Sequence, residues 1–127
     1  MNQIEFYQAK LEYEIDSADT AISDLSQVVI IDTRSIECYE KEYIENAVSF
    51  PHKTMNEESV KSLDKDKTYI CYCDGIGCNA STKGALKLAS FGFKTKELMG
   101  GLDWWKRDGY NTKGNEARQN TPSSCGC

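Results

Sequence analysis

Short apolar runs separated by polar turns give this chain the pattern of an α/β protein. Residues 28–31 are a continuous β-branched run, typical of a strand that is covered on both faces. Residues 11–16 alternate apolar and polar side chains, the period of a half-exposed strand. In all, five segments are predicted to be strands: 11–16, 28–31, 47–50 (ended by Pro51), 68–73 and 95–99.

Helical spacing fills most of the chain between these strands. Ser17 and Asn79 are each placed to cap a following helix, and Gly92 and Gly109 mark helix ends. The predicted helices cover residues 2–10, 17–25, 37–44, 56–63, 80–92 and 102–107. Strands separated by helices indicate βαβ units, so we expect a three-layer α/β fold. Its mostly parallel, five-stranded sheet would carry helices on both faces.

The length of 127 residues predicts a single domain. We place that domain at residues 1–112, because the chain beyond it has no large aliphatic or aromatic side chain and contains Gly, Asn, Ser, Thr and Pro. Residues 113–127 are expected to be a mobile C-terminal tail that ends in Cys-Gly-Cys.

Charge and hydropathy exclude several classes of partner. With 15 basic and 20 acidic residues the net charge is −5, which disfavours binding to the phosphate backbone of nucleic acids. No apolar run approaches the roughly 20 residues that a membrane helix needs, and the N-terminus lacks the pattern of a secretory signal. We therefore expect a cytoplasmic protein with neither nucleic acid nor membrane as its partner; the oligomeric state is left open.

The cysteines are interpreted as thiols in a reducing compartment, because an ordinary core of this size needs no disulfide staple. A closed zinc site normally has four ligands, and the only histidine is His52, so no metal site is predicted. His52 itself is expected to be a solvated loop residue. The cysteines are Cys38, Cys71, Cys73, Cys78, Cys125 and Cys127.

The loop after the fourth predicted strand is the main candidate for chemistry. Cys73 ends that strand, and sites in parallel sheets form at the carboxyl ends of strands. Gly75 and Gly77 would let the backbone curl into a nest of amides, and the helix capped by Asn79 would point its positive end at the same loop. Both effects favour a thiolate on Cys73, and we expect its sulfur to be accessible. The alternative, that Cys73 is a buried packing residue, is equally open at this point.

The sequence resembles the rhodanese-like domains, a sulfurtransferase family, at four ordered places between residues 20 and 112. The first is Val-Val-Ile-Ile-Asp-Thr-Arg-Ser-Ile-Glu-Cys-Tyr at 28–39, and the second is Tyr-Ile-Glu-Asn-Ala-Val-Ser-Phe-Pro at 43–51. The third is Tyr72-Cys73 with its loop and the Ser-Thr-Lys-Gly-Ala that follows at 81–85. The fourth comprises Gly-Phe at 92–93, Leu-Met-Gly-Gly at 98–101 and the two tryptophans at 104–105.

The resemblance implies a sulfurtransferase that needs no cofactor. Cys73 would take a sulfane sulfur from thiosulfate or a persulfide and pass it to a thiol or another nucleophile, carried by a small molecule or a protein. Asp32 and Arg34 would be structural residues near the site. The loop that would cradle the sulfur consists of Asp74, Gly75, Ile76, Gly77, Cys78 and Asn79.

The loop departs from the family pattern at its charged position. Several members of the family carry Arg or Lys in this loop, whereas this chain has Asp74 and no basic residue. A carboxylate beside the thiol would oppose a dianionic donor, so we expect weak use of thiosulfate and a preference for persulfides. Alternatively, Asp74 points to solvent and has little effect. In the related cysteine phosphatases an Arg closes a Cys-x5-Arg loop; Asn79 stands at that position, which argues against phosphoryl transfer.

Three other cysteines have open roles. Cys78 could resolve a persulfide on Cys73 as a disulfide, although packing within the loop is favoured. Cys125 and Cys127 could accept sulfur, exchange disulfides or bind a soft metal, or they could be an ordinary chain end. Two alternative functions follow: a non-catalytic rhodanese-like binding or regulatory module, and a thiol redox or metal-handling protein.

Overall fold

A computed structural model describes residues 1–117 of the chain. The helices are α1 Gln3–Tyr13, α2 Ser17–Ala21, α3 Ile36–Lys41, α4 Ala80–Ser90 and α5 Gly101–Arg107, with a 3-10 turn at His52–Thr54. The strands are β1 Glu14–Ile15, β2 Val28–Asp32, β3 Tyr43–Ile44, β4 Val48–Ser49, β5 Thr68–Tyr72, β6 Lys94–Leu98 and β7 Thr112–Lys113.

Five of these strands form one parallel sheet in the order β1-β6-β5-β2-β4. This confirms the predicted α/β fold and its five-stranded sheet. The two most apolar strands, β2 and β5, pair along their whole length, with Val28 opposite Thr68 and Asp32 opposite Tyr72. Both are central because an apolar strand needs cover on both faces. Strands β3 and β7 form a separate antiparallel pair.

Alternate side chains of the central strands enter two separate cores, one on each face of the sheet. Ile30, Ile70 and Tyr72 pack with Leu102 and Trp105 of α5 on one face. On the other face, the next residues of the same strands pack against α4; this core comprises Ile31, Met55, Val60, Tyr69, Cys71, Ala85, Leu88 and Phe93. Cys71 and α4 therefore share one face of the sheet.

Several predicted elements differ in extent or kind. The alternation at 11–16 is mostly helical, because α1 continues to Tyr13 and only Glu14–Ile15 is a strand. Asp16, not Ser17, caps α2, and its side chain accepts from the amide of Asp19. Residues 56–63 form successive turns rather than a helix. There Asn56 accepts from the amides of Glu58 and Ser59, a local side-chain bond that competes with helix formation.

The folded chain continues past residue 112. Thr112–Lys113 pairs with β3, and the Thr112 hydroxyl donates to Glu42 Oε2 over 2.6 Å. The amide of Glu116 donates to the carbonyl of Lys41 over 2.7 Å. Residues 113–117 are thus attached to the domain, while the rest of the tail prediction, with Cys125 and Cys127, lies outside the described residues. Within residues 1–117, no helix is long and apolar enough to cross a membrane.

Candidate active site

Cys73 is the first residue after β5, at the carboxyl end of a central strand. It is a free cysteine, and only 2% of its surface is exposed. Its Sγ lies 3.9 Å from the carbonyl oxygen of Gly75 and 3.8 Å from Oγ of Ser81, a residue in the first turn of α4. The sequence indicated an accessible sulfur, but the structure places it beneath the loop that follows, whose residue Ile76 is exposed.

The N-terminus of α5 holds the start of this loop. The amide of Leu102 donates to the carbonyl of Cys73 over 2.9 Å, and the amide of Asp103 donates to the carbonyl of Asp74 over 2.8 Å. Amides in the first turn of a helix have no partner within the helix, so they are available to a neighbouring chain. These two bonds set the direction in which the chain leaves Cys73.

Gly101 makes this close approach feasible. Its φ is +58°, and a Cβ built there would lie 2.4 Å from the carbonyl oxygen of Cys73. Both the left-handed backbone and the lack of space require glycine. The sequence pointed to Gly100-Gly101 only through the family resemblance, within Leu-Met-Gly-Gly at 98–101; the double glycine before a helix was the available signal.

The loop itself is built differently from the prediction. Neither Gly75 nor Gly77 has a positive φ among the described residues. A Cβ on Gly75 would lie 3.3 Å from that of Asp103, so this glycine serves a close approach, whereas a Cβ on Gly77 would meet nothing within 4 Å. The amide of Cys78 donates to Gly75 carbonyl over 3.2 Å. Asn79 is at the N-cap position of α4 but makes no capping hydrogen bond with its side chain, so its predicted capping role is wrong.

A buried ionic network supports the site from the side of β2. The guanidinium of Arg34 contacts Asp32 through Nε at 3.0 Å and through Nη2 at 2.7 Å, and both side chains are fully buried. Tyr72 donates its hydroxyl proton to Asp32 Oδ2 over 2.7 Å. The same guanidinium donates to the carbonyl of Glu42 over 2.5 Å. A buried charge pair is tolerated only when its hydrogen bonds are completed in this way.

The network reaches the loop through Asp74. Nη1 of Arg34 lies 2.8 Å from Oδ1 of Asp74, whose side chain is 16% exposed. Burial by itself would lower the pKa of the Arg34 guanidinium, but hydrogen bonds and the charge of Asp32, together with Tyr72 and Asp74, raise it above its ordinary value. Arg34 therefore stays charged. Asp74 points inward to this cation, which corrects the alternative that it faces solvent.

A second polar contact connects Cys73 to β6. Ser81 Oγ, 3.8 Å from the sulfur, also lies 3.3 Å from Oε2 of Glu97. Glu97 is the ladder partner of Cys71, which is fully buried. Burial, with the charge of Glu97, raises the pKa of the Cys71 thiol to about 12. Cys71 is thus suited to packing in the core.

Sequence reasoning missed Ser81 and Glu97 as site residues. Ser81 follows the loop within a motif quoted for the family resemblance, and its place in the first turn of the next helix was the available signal. For Glu97 the signal was weaker: a carboxylate in the middle of a strand next to the central one.

The structure also describes three other residues that the sequence singled out, Cys38, Cys78 and His52. Cys38 and Cys78 are each disulfide-bonded, which differs from the expectation of free thiols. His52 is buried in the 3-10 turn, where its carbonyl accepts from Lys87 Nζ over 2.7 Å, so its prediction as a solvated residue is wrong. Among residues 1–117 there is no group of three or more His, Cys, Asp and Glu side chains arranged to hold a metal ion.

Comparisons with known proteins point to one family. The family model described as "Rhodanese-like domain" matches residues 14–108. The chain is 38% identical to the thiosulfate sulfurtransferase GlpE of Coxiella burnetii over 81 residues, which are 62% of this chain and 72% of that protein. It is 33% identical to a tRNA sulfurtransferase of Thermoplasma acidophilum over 85 residues, only 17% of that longer protein.

A solved structure extends the likeness to nearly the whole chain. The BH2092 protein of Bacillus halodurans superposes with a TM-score of 0.87 and 35% sequence identity. The superposition covers 94% of this chain and 90% of that one. The family model, over residues 14–108, spans Cys73 and the helices α4 and α5 beside it.

Proposed function

Since the chain belongs to the rhodanese-like domain family, we propose that it is a sulfurtransferase that carries sulfane sulfur as a persulfide on Cys73. The observation that carries this proposal is the position of Cys73. It is a free cysteine at the carboxyl end of a central strand, and the loop after it is held on two sides, by Arg34 and by the amides of α5. The names of two relatives, a thiosulfate and a tRNA sulfurtransferase, support the reaction class.

The proposed reaction has two displacement steps. The Cys73 thiolate attacks the outer sulfur of a donor R–S–SH, the S–S bond of the donor breaks, and R–S⁻ leaves with the electron pair and takes a proton from water. An acceptor thiolate then attacks the outer sulfur of Cys73–S–SH, the S–S bond of this persulfide breaks, and Cys73 leaves as the thiolate while the acceptor carries the sulfur as a persulfide. Because the sulfur is stored covalently on Cys73, a direct reaction between two anions is replaced by two easier steps.

We further propose that persulfide donors are preferred over thiosulfate. Residues 74–79 contain no basic side chain, and the guanidinium closest in the network, Arg34, is already shared by Asp32 and Asp74. This loop therefore offers a dianionic donor no positively charged side chain with which to form an ion pair. The acceptor would be a small thiol or a protein thiol. We propose the cytoplasm as the compartment, because Cys73 must be reduced to act as a nucleophile.

A panel of donors tests this function. The full chain and its Cys73→Ser variant would be treated with glutathione persulfide or thiosulfate, and the intact mass would be measured before and after addition of a thiol acceptor. The proposal expects a gain of one sulfur atom, localised to Cys73, that disappears with the acceptor and is absent in the variant. An unmodified Cys73 after both donors would favour the binding-module alternative. Efficient turnover of thiosulfate would contradict only the donor preference.

One observation favours a second function, thiol redox exchange. Cys38 and Cys78 are each disulfide-bonded, and Cys78 belongs to the same loop as Cys73. A redox protein would cycle each of these residues between its thiol and its disulfide form. Mass spectrometry of the same samples distinguishes the two functions, because redox exchange removes hydrogens from thiols whereas sulfur transfer adds a sulfur atom.

A further inference from the structure

The hydroxyl group of Ser81 lies between the sulfur of Cys73 and the carboxylate of Glu97. Its Oγ is 3.8 Å from Cys73 Sγ and 3.3 Å from Glu97 Oε2, and Ser81 is buried. A serine hydroxyl has one proton to donate and two lone pairs to accept with, whereas an ionised carboxylate can only accept. The proton of Ser81 therefore points to Glu97, and its lone pairs face the S–H of Cys73.

Glu97 has another partner. The hydroxyl of Thr82, the next residue of α4, donates to the same Oε2 over 2.9 Å. Glu97 thus keeps a hydrogen bond if Ser81 turns away. Glu97 has two ladder partners, Glu14 on β1 and the buried Cys71 on β5, and the charged residues Glu12, Lys94 and Lys96 line the same surface cavity as Glu97.

We propose that Glu97 is a positioning residue for Cys73 and that it acts by setting the direction of the Ser81 hydroxyl. With the proton of Ser81 drawn to Glu97, the hydroxyl accepts from the thiol of Cys73 and donates no hydrogen bond to the sulfur. A thiolate, or the inner sulfur of a persulfide, has no proton and can only accept. Ser81 must then turn its proton from Glu97 to the sulfur, while Thr82 continues to donate to Glu97.

This inference rests on the proposed sulfur transfer for its consequence in the reaction. Ser81 would be the hydrogen-bond donor that stabilises the sulfur once it carries charge. Glu97 would compete with the sulfur for that donor and so limit the reactivity of the resting site. Removal of Ser81 and removal of the Glu97 charge are therefore expected to have opposite effects on Cys73.

A double-mutant cycle on the full chain tests the coupling, since two residues that act as one unit have non-additive effects. The proteins are the wild type, Glu97→Gln, Ser81→Ala and the double variant. The measurements are the rate of iodoacetamide alkylation of Cys73, localised by fragment mass spectrometry, and the rate of sulfur uptake from glutathione persulfide. Glu97→Gln is expected to raise the alkylation rate at neutral pH about three- to tenfold, and Ser81→Ala to lower sulfur uptake about tenfold.

The decisive comparison is the effect of Glu97→Gln when Ser81 is absent. If Glu97 acts through the hydroxyl, the change has no effect in the Ser81→Ala background, and Ser81→Thr restores sulfur uptake. An equal acceleration in both backgrounds would show that Glu97 acts on the sulfur through space and would overturn the proposal. Thr82→Val is the matched control, because it removes the other hydrogen-bond donor to Glu97 and leaves Ser81 in place. If Thr82→Val raised the alkylation rate of Cys73 as much as Glu97→Gln does, the proposal would also be overturned.

The two proposals fail in different ways. If wild-type Cys73 gains no sulfur from any donor, the proposed function fails, while the alkylation cycle still reports on Glu97 and Ser81. If Cys73 gains sulfur but the cycle is additive, only the positioning role fails. Thermal unfolding of each variant confirms that the rates are compared between folded proteins.

Discussion

Arg34, two residues after the end of β2, and Asp74, the residue after Cys73, form an ion pair of 2.8 Å. The guanidinium is fully buried and also holds Asp32, so one cation serves two carboxylates. The residue that departs from the family's basic pattern is therefore part of the support of the loop. The charge of Asp74 is partly balanced by Arg34, and this ion pair holds the loop close to β2.

The first prediction concerns donor choice. Asp74→Asn retains an oxygen that can accept a hydrogen bond from Arg34 but removes the negative charge of the loop. We expect the ratio of kcat/KM for thiosulfate to kcat/KM for glutathione persulfide to rise about three- to tenfold, because the dianionic donor gains more from the loss of that charge. Steady-state kinetics with both donors measure the ratio.

The control for this change is Asp108→Asn, which removes the same charge from an exposed residue at the C-terminal end of α5. Its ratio is expected to equal that of the wild type. A ratio that is the same in all three proteins would mean that the charge of Asp74 has no part in donor selection.

The second prediction concerns stability. Arg34→Met leaves the buried carboxylate of Asp32 without its cation, and loss of one member of a buried pair typically costs ~3–5 kcal/mol of unfolding free energy. Urea denaturation measures the loss. Arg107→Gln is the control, since Arg107 pairs with Asp103 at the surface with 59% of its side chain exposed, and such a pair contributes about 0–1 kcal/mol. Equal losses in the two variants would contradict the importance assigned to the buried network.

The third prediction separates backbone strain from loss of space. In Gly101→Ala the new Cβ would lie 2.4 Å from the carbonyl oxygen of Cys73, so we expect reduced stability and a marked loss of sulfur uptake as that carbonyl is displaced. Gly109 also has a positive φ, +88°, but nothing within 4 Å of a built Cβ. Gly109→Ala should cost only the left-handed strain of roughly 1–2 kcal/mol and keep its activity. Denaturation and donor assays on both variants check this; full activity in Gly101→Ala would refute it.

The fourth prediction concerns Cys71 and pH. Burial raises the pKa of the Cys71 thiol to about 12, whereas an unfolded cysteine ionises near ~8.5. The folded state therefore favours the neutral thiol. The resulting stabilisation is complete below the unfolded pKa and is lost as pH rises through the folded pKa.

The measurement is the difference in unfolding free energy between the wild type and Cys71→Ala, followed from pH 8 to pH 12. We expect this difference to be constant near pH 8 and to shrink steadily above about 9, as ionisation begins to favour the unfolded chain. A difference that does not change over the whole range would show that Cys71 does not titrate as its burial requires.

Local patterns predicted the central part of the fold well. The apolar run at 28–31 and the segment 68–73 appear as β2 and β5, and the helix from Ala80 is present with Gly92 just after its end. Patterns failed where the segment was short or polar. Residues 56–63 have helical spacing, but the side chain of Asn56 binds neighbouring amides and the segment forms turns. Strand β7 has no apolar signal; it forms by pairing with β3, and the hydroxyl of Thr112 in this strand donates to Glu42.

The candidate site was predicted in part. Cys73 followed from its position after a strand, and Asp32 and Arg34 from the resemblance. Ser81 and Glu97 were missed, because their contact depends on how the N-terminus of α4 sits over β6, which no local pattern contains. The predicted accessibility of the sulfur differs for a similar reason. The exposure of Cys73 depends on how closely the loop lies over it, which is set by Asp74 and the N-terminus of α5.

By itself, the sequence determined the two central strands, the cysteine that follows one of them, and the presence of an acidic residue and no basic residue in the loop after that cysteine. These properties belong to residue types and their spacing, so they can be recognised before the chain folds. Only the tertiary structure decided that Asp74 turns inward to Arg34 and that Ser81 stands between Cys73 and Glu97. Such contacts join residues far apart in the chain, and they exist only once the strand order β1-β6-β5-β2-β4 brings β2, β5 and β6 side by side.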